Sequence, residues 1–113
     1  MSNGRHGRLS AEEAAALFAA LGDDTRLRLV ARLAGGGPAS IAELTAEAGV
    51  SRQAIRKHLE VLSEAGLVRG RRAGREHVWE LRPARLGAAR TYLDRVSAQW
   101  DEALEALRRL VEE

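Results

Sequence analysis

The chain contains no cysteine, so disulfides, thiolate metal ligands and thiol redox chemistry are all excluded. It also lacks any apolar run near the roughly 18 residues of a membrane span. Its first ten residues (MSNGRHGRLS) have no apolar segment of the kind that a secretory signal carries. We therefore expect a cytoplasmic protein that makes no contact with membranes.

Histidine is equally scarce, and the three present, His6, His58 and His77, are scattered along the chain. A metal site needs three or four convergent ligands, so we expect no metal and no other cofactor. We expect His58 to be a half-buried packing residue and His77 a strand residue near the core. No nucleophile-base-acid set, phosphate loop or carboxylate pair stands out, and 113 residues leave little room for a deep pocket. An enzyme is not expected.

Positive charge is present and unevenly distributed. The net charge is only +2, but residues 51–77 hold seven cations against three acids, a local charge of +4. The last fourteen residues hold five acids against two arginines, a local charge of −3. A basic stretch in mid-sequence favours an anionic partner such as nucleic acid more than the total charge does.

The chain is long enough for one domain. We assign residues 1–8 to a disordered tail and residues 9–113 to the domain. Ser10 with Glu13 forms a capping box that opens a first helix, which Gly22 ends. Asp23 can cap a second helix, and its many leucines are typical of a buried central helix. A Gly-Gly-Gly-Pro run at residues 35–38 closes it.

Two further helices follow with a very short connection. A second capping box, Ser40 with Glu43, opens a helix that must stop at Gly49, and Ser51 can cap the next one. Helices joined by so tight a turn indicate a helix-turn-helix. Residues 67–68 and 77–81 flank Arg-Ala-Gly-Arg at 72–75, which predicts a two-stranded β-hairpin with a basic tip, the wing of a winged helix-turn-helix.

The second helix of this pair has a polar face with an unusual order of charges. Its apolar residues Ile55, Leu59 and Leu62 share one side, so the cations of its first two turns and the acids of its later turns share the other. The helix dipole prefers the reverse order by about 0.3 to 1 kcal/mol per charge. The arrangement is typical of a recognition helix whose N-terminal end enters a major groove.

From Pro83 onward the pattern is helical again, with apolar residues at alternating spacings of three and four over three heptads. The residues of this seam are Leu86, Ala89, Leu93, Val96, Trp100, Ala103, Leu107 and Leu110. A stripe of that length exceeds what one small core needs, so we expect a second copy to bury part of it. Packing against the first helix of the same chain is the alternative, and both can hold in part.

Four segments together resemble the ArsR-type family of small winged helix-turn-helix repressors. They are LGDDTRL at residues 21–27, SRQAIRKHL at 51–59, LSEAGLV at 62–68 and GR at 74–75. The resemblance implies a mainly α fold of about five helices and a two-stranded wing. It also implies a homodimer, formed through the first and last helices, that releases its operator when an effector binds.

Metal sensors of that family carry cysteines where this chain has Ser40, Ile41 and Ala42, or histidines on a last helix that has none here. We therefore expect a member without those metal sites, whose effector is unknown. The expected DNA contacts are Ser51, Arg52, Gln53, Arg56 and Lys57, with Arg71, Arg72 and Arg75 on the wing. The expected dimer contacts are Leu17, Leu86, Leu93, Val96, Trp100, Leu104 and Leu107.

The sequence thus predicts a sequence-specific transcriptional regulator that represses from an inverted-repeat operator on double-stranded DNA. The alternative is a winged-helix module that binds another protein. The solvent face of the recognition helix separates the two hypotheses, because a protein-binding version should be apolar or acidic there.

Overall fold

The computed structural model describes residues 8–112, so nearly all of the predicted tail (residues 1–8) lies outside the described residues. The helices are α1 (Ala11–Leu21), α2 (Asp24–Gly36), α3 (Ile41–Ala48), α4 (Arg52–Glu64) and α5 (Pro83–Glu112). The strands are β1 (Ala39–Ser40), β2 (Val68–Ala73) and β3 (Glu76–Leu81). The fold is mainly helical with a small antiparallel sheet, as predicted. No helix in this range is both long and apolar enough to cross a membrane.

Both predicted capping boxes are present. The Ser10 hydroxyl accepts a hydrogen bond from the Glu13 amide at 3.0 Å, and the Glu13 carboxylate accepts one from the Ser10 amide at 2.9 Å. Ser40 and Glu43 make the same reciprocal pair at 3.1 and 2.9 Å. Each pair satisfies backbone donors that the first turn of a helix leaves free, and so fixes where α1 and α3 begin.

The predicted two-stranded wing is present as β2 and β3, and β1 adds a third strand to the sheet, in the order β1-β3-β2. Ala39 lies opposite Trp79, and Ser40 lies opposite Val78. The turn of the hairpin is also shorter than expected: Ala73 pairs with Glu76, and Gly74 takes the left-handed conformation with φ 65°. The sheet therefore reaches from the start of α3 to the wing tip.

The core lies between α1, α2, α3, α4 and the base of the wing. Its largest fully buried side chains are Leu17, Leu44, Ile55, Leu59, Leu62, Leu67 and Val68. The prediction of a buried α2 is wrong: only Leu29 and Leu33 of that helix are buried, and Leu27 is half exposed. The outer side of α2 carries cations instead, and Arg32 there pairs with Glu47 of α3 at 2.6 Å.

The long helix α5 contacts the rest of the chain only near its start. Ala88 and Ala89 are buried, and the Tyr92 ring lies 6.0 Å from that of Phe18 in α1. Every residue from 97 to 112 is exposed. The first part of the predicted seam thus packs inside the chain, while the second part does not.

Candidate nucleic-acid interface

The position of α4 is set by its apolar side and by its two ends. Ile55, Leu59 and Leu62 have no exposed surface, which fixes the rotation of the helix about its axis. The turn before it uses Gly49 in the left-handed conformation, with φ 73°. The Ser51 hydroxyl then accepts a hydrogen bond from the Ala54 amide at 3.0 Å. The polar side of α4 therefore faces solvent along its whole length.

The four predicted contact residues that follow Ser51, namely Arg52, Gln53, Arg56 and Lys57, are all exposed on this polar side. Within residues 8–112 none of them makes a hydrogen bond or an ion pair. The first turn of α4 contains no acid and its last turn no base. The helix thus presents uncommitted donors at its N-terminal end, against the preference of its own dipole.

The predicted wing arginines divide into two kinds. Arg72 and Arg75 are exposed and, among residues 8–112, have no polar partner. Arg71 donates through Nε to one carboxylate oxygen of Glu80 at 2.8 Å, and Arg69 donates to the other oxygen at 2.8 Å. These two hydrogen bonds, that of Arg71 first, hold the pKa of Glu80 below its usual value. Arg71 is therefore less available to an outside anion than its neighbours.

A groove of about 260 Å³ joins the wing to α4. Arg52 and Arg56 line it from α4, His77 and Trp79 line it from β3, and the first turn of α3 closes it. His77 is on a strand as predicted, but it is exposed rather than near the core. Its ring stacks on Trp79 with centroids 5.4 Å apart. We call the exposed face of α4, this groove and the wing tip together the α4–wing surface.

Behind α4 lies a polar junction centred on Arg26, a residue that the sequence did not single out. Arg26 Nε donates to the Ala20 carbonyl at 2.5 Å, and one terminal nitrogen lies 3.2 Å from His58 Nδ1. The backbone amide of Arg26 donates to the Asp23 carboxylate at 3.0 Å. That bond is the main cause that lowers the pKa of Asp23, with smaller contributions from the charges of Arg26 and His58. His58 is half-buried, as predicted.

The predicted dimer contacts are distributed over the core and an exposed stripe. Leu17 is wholly enclosed by its own chain, so the expectation that it contacts a partner is corrected. The side of α1 that carries Leu17 packs against the core of the same chain. Leu86 and Val96 are half-buried. The other four form an exposed stripe along α5, which we call the α5 stripe: Leu93, Trp100, Leu104 and Leu107. Trp100 is 63% exposed.

Residues 8–112 contain no group of three or more histidine, aspartate or glutamate side chains placed to hold a metal ion. The α4–wing surface offers guanidinium, ammonium and amide donors, together with the carboxylates of Glu60, Glu64 and Glu76. Such donors suit phosphates and base edges.

Comparison with known proteins agrees with this geometry. Residues 21–71 match a helix-turn-helix domain family. The HTH-type transcriptional regulator Rv2034 of Mycobacterium tuberculosis is 44% identical over 93 residues, which span 82% of this chain and 83% of that protein. The arsenic resistance transcriptional regulator ArsR1 of Pseudomonas putida is 37% identical over 67 residues, 59% of this chain and 52% of that protein.

A solved structure extends the match to most of the chain. The ArsR-like transcriptional regulator from Rhodococcus sp. RHA1 superposes with a TM-score of 0.80 at 37% identity, covering 88% of this chain and 92% of that one. The similarity therefore extends well beyond the residues that match the helix-turn-helix family.

Proposed function

The chain belongs to the ArsR family of winged helix-turn-helix transcriptional regulators, and from that premise we propose that it represses transcription as a homodimer on an inverted-repeat operator. It is a DNA-binding regulator and not an enzyme. We also propose that the protein lies in the cytoplasm, with the DNA that it controls.

The observation that carries the proposal is the set of unpaired donors on the first two turns of α4. In a major groove an arginine such as Arg56 can pair with guanine, and Gln53 can pair with adenine. Lys57 suits a phosphate, and Ser51 at the helix N-terminus can meet another. Arg72 and Arg75 lie at the wing tip, where they can reach the backbone or the minor groove.

The homodimer is supported by the α5 stripe. Its four members follow one another at spacings of seven, four and three residues, so they lie along one side of the helix. An exposed apolar stripe of this length is a liability for a lone protomer. A second copy related by a two-fold axis can cover it with the same stripe. The two recognition helices then meet half-sites about one helical turn apart, which makes the operator an inverted repeat.

A protein-binding winged helix is the rival hypothesis. It predicts an apolar or acidic face on α4 where the structure has uncommitted cations. A protein that neutralises DNA phosphates releases counterions, so its affinity for DNA falls steeply with salt. The rival hypothesis instead predicts no salt-dependent binding to a duplex.

The test is fluorescence anisotropy with the operator, found by footprinting the upstream region, and with a scrambled duplex, across a salt series. Arg56→Ala should weaken operator binding by about 1 to 3 kcal/mol and relax preference at one base position in each half-site. Arg28→Ala is the matched control. It removes the same charge from an exposed arginine of α2 that pairs with Asp24, outside the α4–wing surface.

If Arg56→Ala binds both duplexes as the wild type does, the placement of α4 in the groove is wrong. If the wild type shows no salt-dependent binding to any duplex, the protein-binding hypothesis replaces this one.

A further inference from the structure

Arg26 joins three elements of the fold at one guanidinium. The Ala20 carbonyl that it contacts belongs to the last turn of α1, where carbonyls have no partner within the helix. The last turn of α1 has no basic residue of its own, and Ala20 is buried. Arg26, reaching back from α2, therefore supplies a donor that α1 lacks.

The same guanidinium reaches the middle of α4 through His58. A guanidinium can only donate hydrogen bonds, so His58 Nδ1, 3.2 Å away, must accept. That requires the neutral imidazole with its hydrogen on Nε2. His58 follows the predicted DNA contacts Arg56 and Lys57 directly in the chain, so this contact links them to the end of α1.

We infer that Arg26 and His58 are positioning residues for DNA binding, and that they hold α4 in place only while His58 is neutral. The inference rests on the proposed function, since it concerns the same helix. Protonation at Nδ1 replaces the acceptor with a donor and places two positive charges in contact. The direct way to relieve this is to separate α4 from α2, which displaces Arg56 and Lys57 from the DNA.

The charged groups around His58 act in opposite directions. Arg26 of α2 opposes protonation, whereas the Asp23 carboxylate favours it. Asp23 is already engaged by the Arg26 amide, while Arg26 contacts the ring itself. Glu64 of α4 lines the same groove as the Arg26 side chain and lies six residues beyond His58. A proton on Nδ1 removes the acceptor that Arg26 uses, so operator affinity should be retained at high pH and lost as the pH falls.

Two substitutions of His58 distinguish the roles of its two ring nitrogens. The amide oxygen of asparagine can occupy the position of Nδ1 and accept from Arg26 without titrating, whereas the longer glutamine places its amide nearer to Nε2. His58→Asn should bind operator at pH 8 as the wild type does, and His58→Gln should bind at least fivefold more weakly.

The measurement is operator affinity by anisotropy from pH 8 to 5.5 for wild type and His58→Asn. Each protonated ring loses the contact with Arg26, so the ratio of wild-type to variant affinity should fall as the pH is lowered, by at most about tenfold per pH unit for each protomer. His6 and His77 are present in both proteins, so their titration cancels in the ratio. Arg26→Lys, which cannot make both contacts, should flatten the wild-type pH profile, and Arg28→Lys in the same helix should leave it unchanged.

Parallel pH profiles for wild type and His58→Asn would overturn the inference, as would His58→Gln binding like His58→Asn. An independent measurement needs no variant: ¹⁵N NMR of the free wild type at pH 8 should show Nδ1 without a hydrogen and Nε2 with one. The opposite tautomer refutes the contact. Loss of duplex binding by every protein, wild type included, refutes the proposed function instead, and the NMR result still decides the contact.

Discussion

Helices α4 and α5 are both amphipathic, yet the chain covers the apolar side of α4 completely and that of α5 only in its first half. The apolar side of α4 is wholly enclosed, and its polar side is left without partners within residues 8–112. The apolar side of α5 is left uncovered beyond Val96, most clearly at Trp100. The face that a protomer leaves unused indicates the partner of each helix: an anionic polymer for α4, and another apolar surface for α5.

The lengths of the helices explain why α5 stays partly uncovered while the apolar side of α4 does not. At 1.5 Å per residue, α5 with 30 residues is about 45 Å long, whereas α1 with 11 residues is about 16 Å long. Because α1 is the helix that covers α5, it can shield only a part of it, around Tyr92. The 13 residues of α4 match the depth of the core, so its apolar side finds contacts from end to end.

The largest expected effect comes from a substitution in the α5 stripe that weakens association of the two protomers. Trp100→Ala should weaken dimer association by about 3 to 5 kcal/mol, the usual cost of truncating a buried large aromatic. Sedimentation equilibrium measures it. Glu102→Ala is the control, because Glu102 lies about 200° around the helix from Trp100 and should not affect assembly. Wild-type protein that sediments as a monomer at tens of micromolar contradicts the dimer.

A corresponding truncation in α4 should lower the stability of each protomer rather than the association of two protomers. Leu59→Ala should lower the free energy of unfolding by about 2 to 5 kcal/mol, because it leaves a cavity in a fully enclosed site. Urea denaturation measures it at a concentration where the protein is monomeric. Leu107→Ala removes the same atoms from an exposed position of the α5 stripe and should change that free energy by under about 0.5 kcal/mol. Equal losses for the two variants contradict the contrast between the helices.

The smallest effect concerns the wing. Arg72→Ala should weaken operator and scrambled duplex nearly equally, and should lower the slope of log affinity against log salt by about one unit per half-site. Arg71→Ala should lower the slope by less, because Glu80 already neutralises that side chain. The same salt series measures both variants. A larger slope change for Arg71→Ala shows that DNA displaces Glu80 from it.

Local signals in the sequence were sufficient for the helix boundaries. The two capping boxes, the Ser51 cap and the left-handed glycine at Gly49 all depend on residues within four positions of one another, so their physics is visible in a short window. The apolar spacing also placed Ile55, Leu59 and Leu62 correctly. The face of α4 exposed to solvent followed from that placement.

Contacts between distant segments were not predictable in the same way. The partners of Arg71 and Arg26 depend on strand register and helix packing, which bring Glu80 and His58 to them from 9 and 32 residues away. The sequence placed Leu17 in the dimer interface and the leucines of α2, Leu27 among them, in the core, but it could not show what surrounds each side chain. The core covers the first residue, while the second is left half exposed.

The short strand β1 has a mechanical consequence for the wing. Ser40 pairs with Val78 in the sheet and also caps α3, with no linker residue between strand and helix. Because no flexible residue separates β1 from α3, a displacement of the hairpin should displace α3 as well. When the wing bends toward or away from a duplex, the helix-turn-helix should tilt with it. The two regions expected to contact DNA then move together rather than independently.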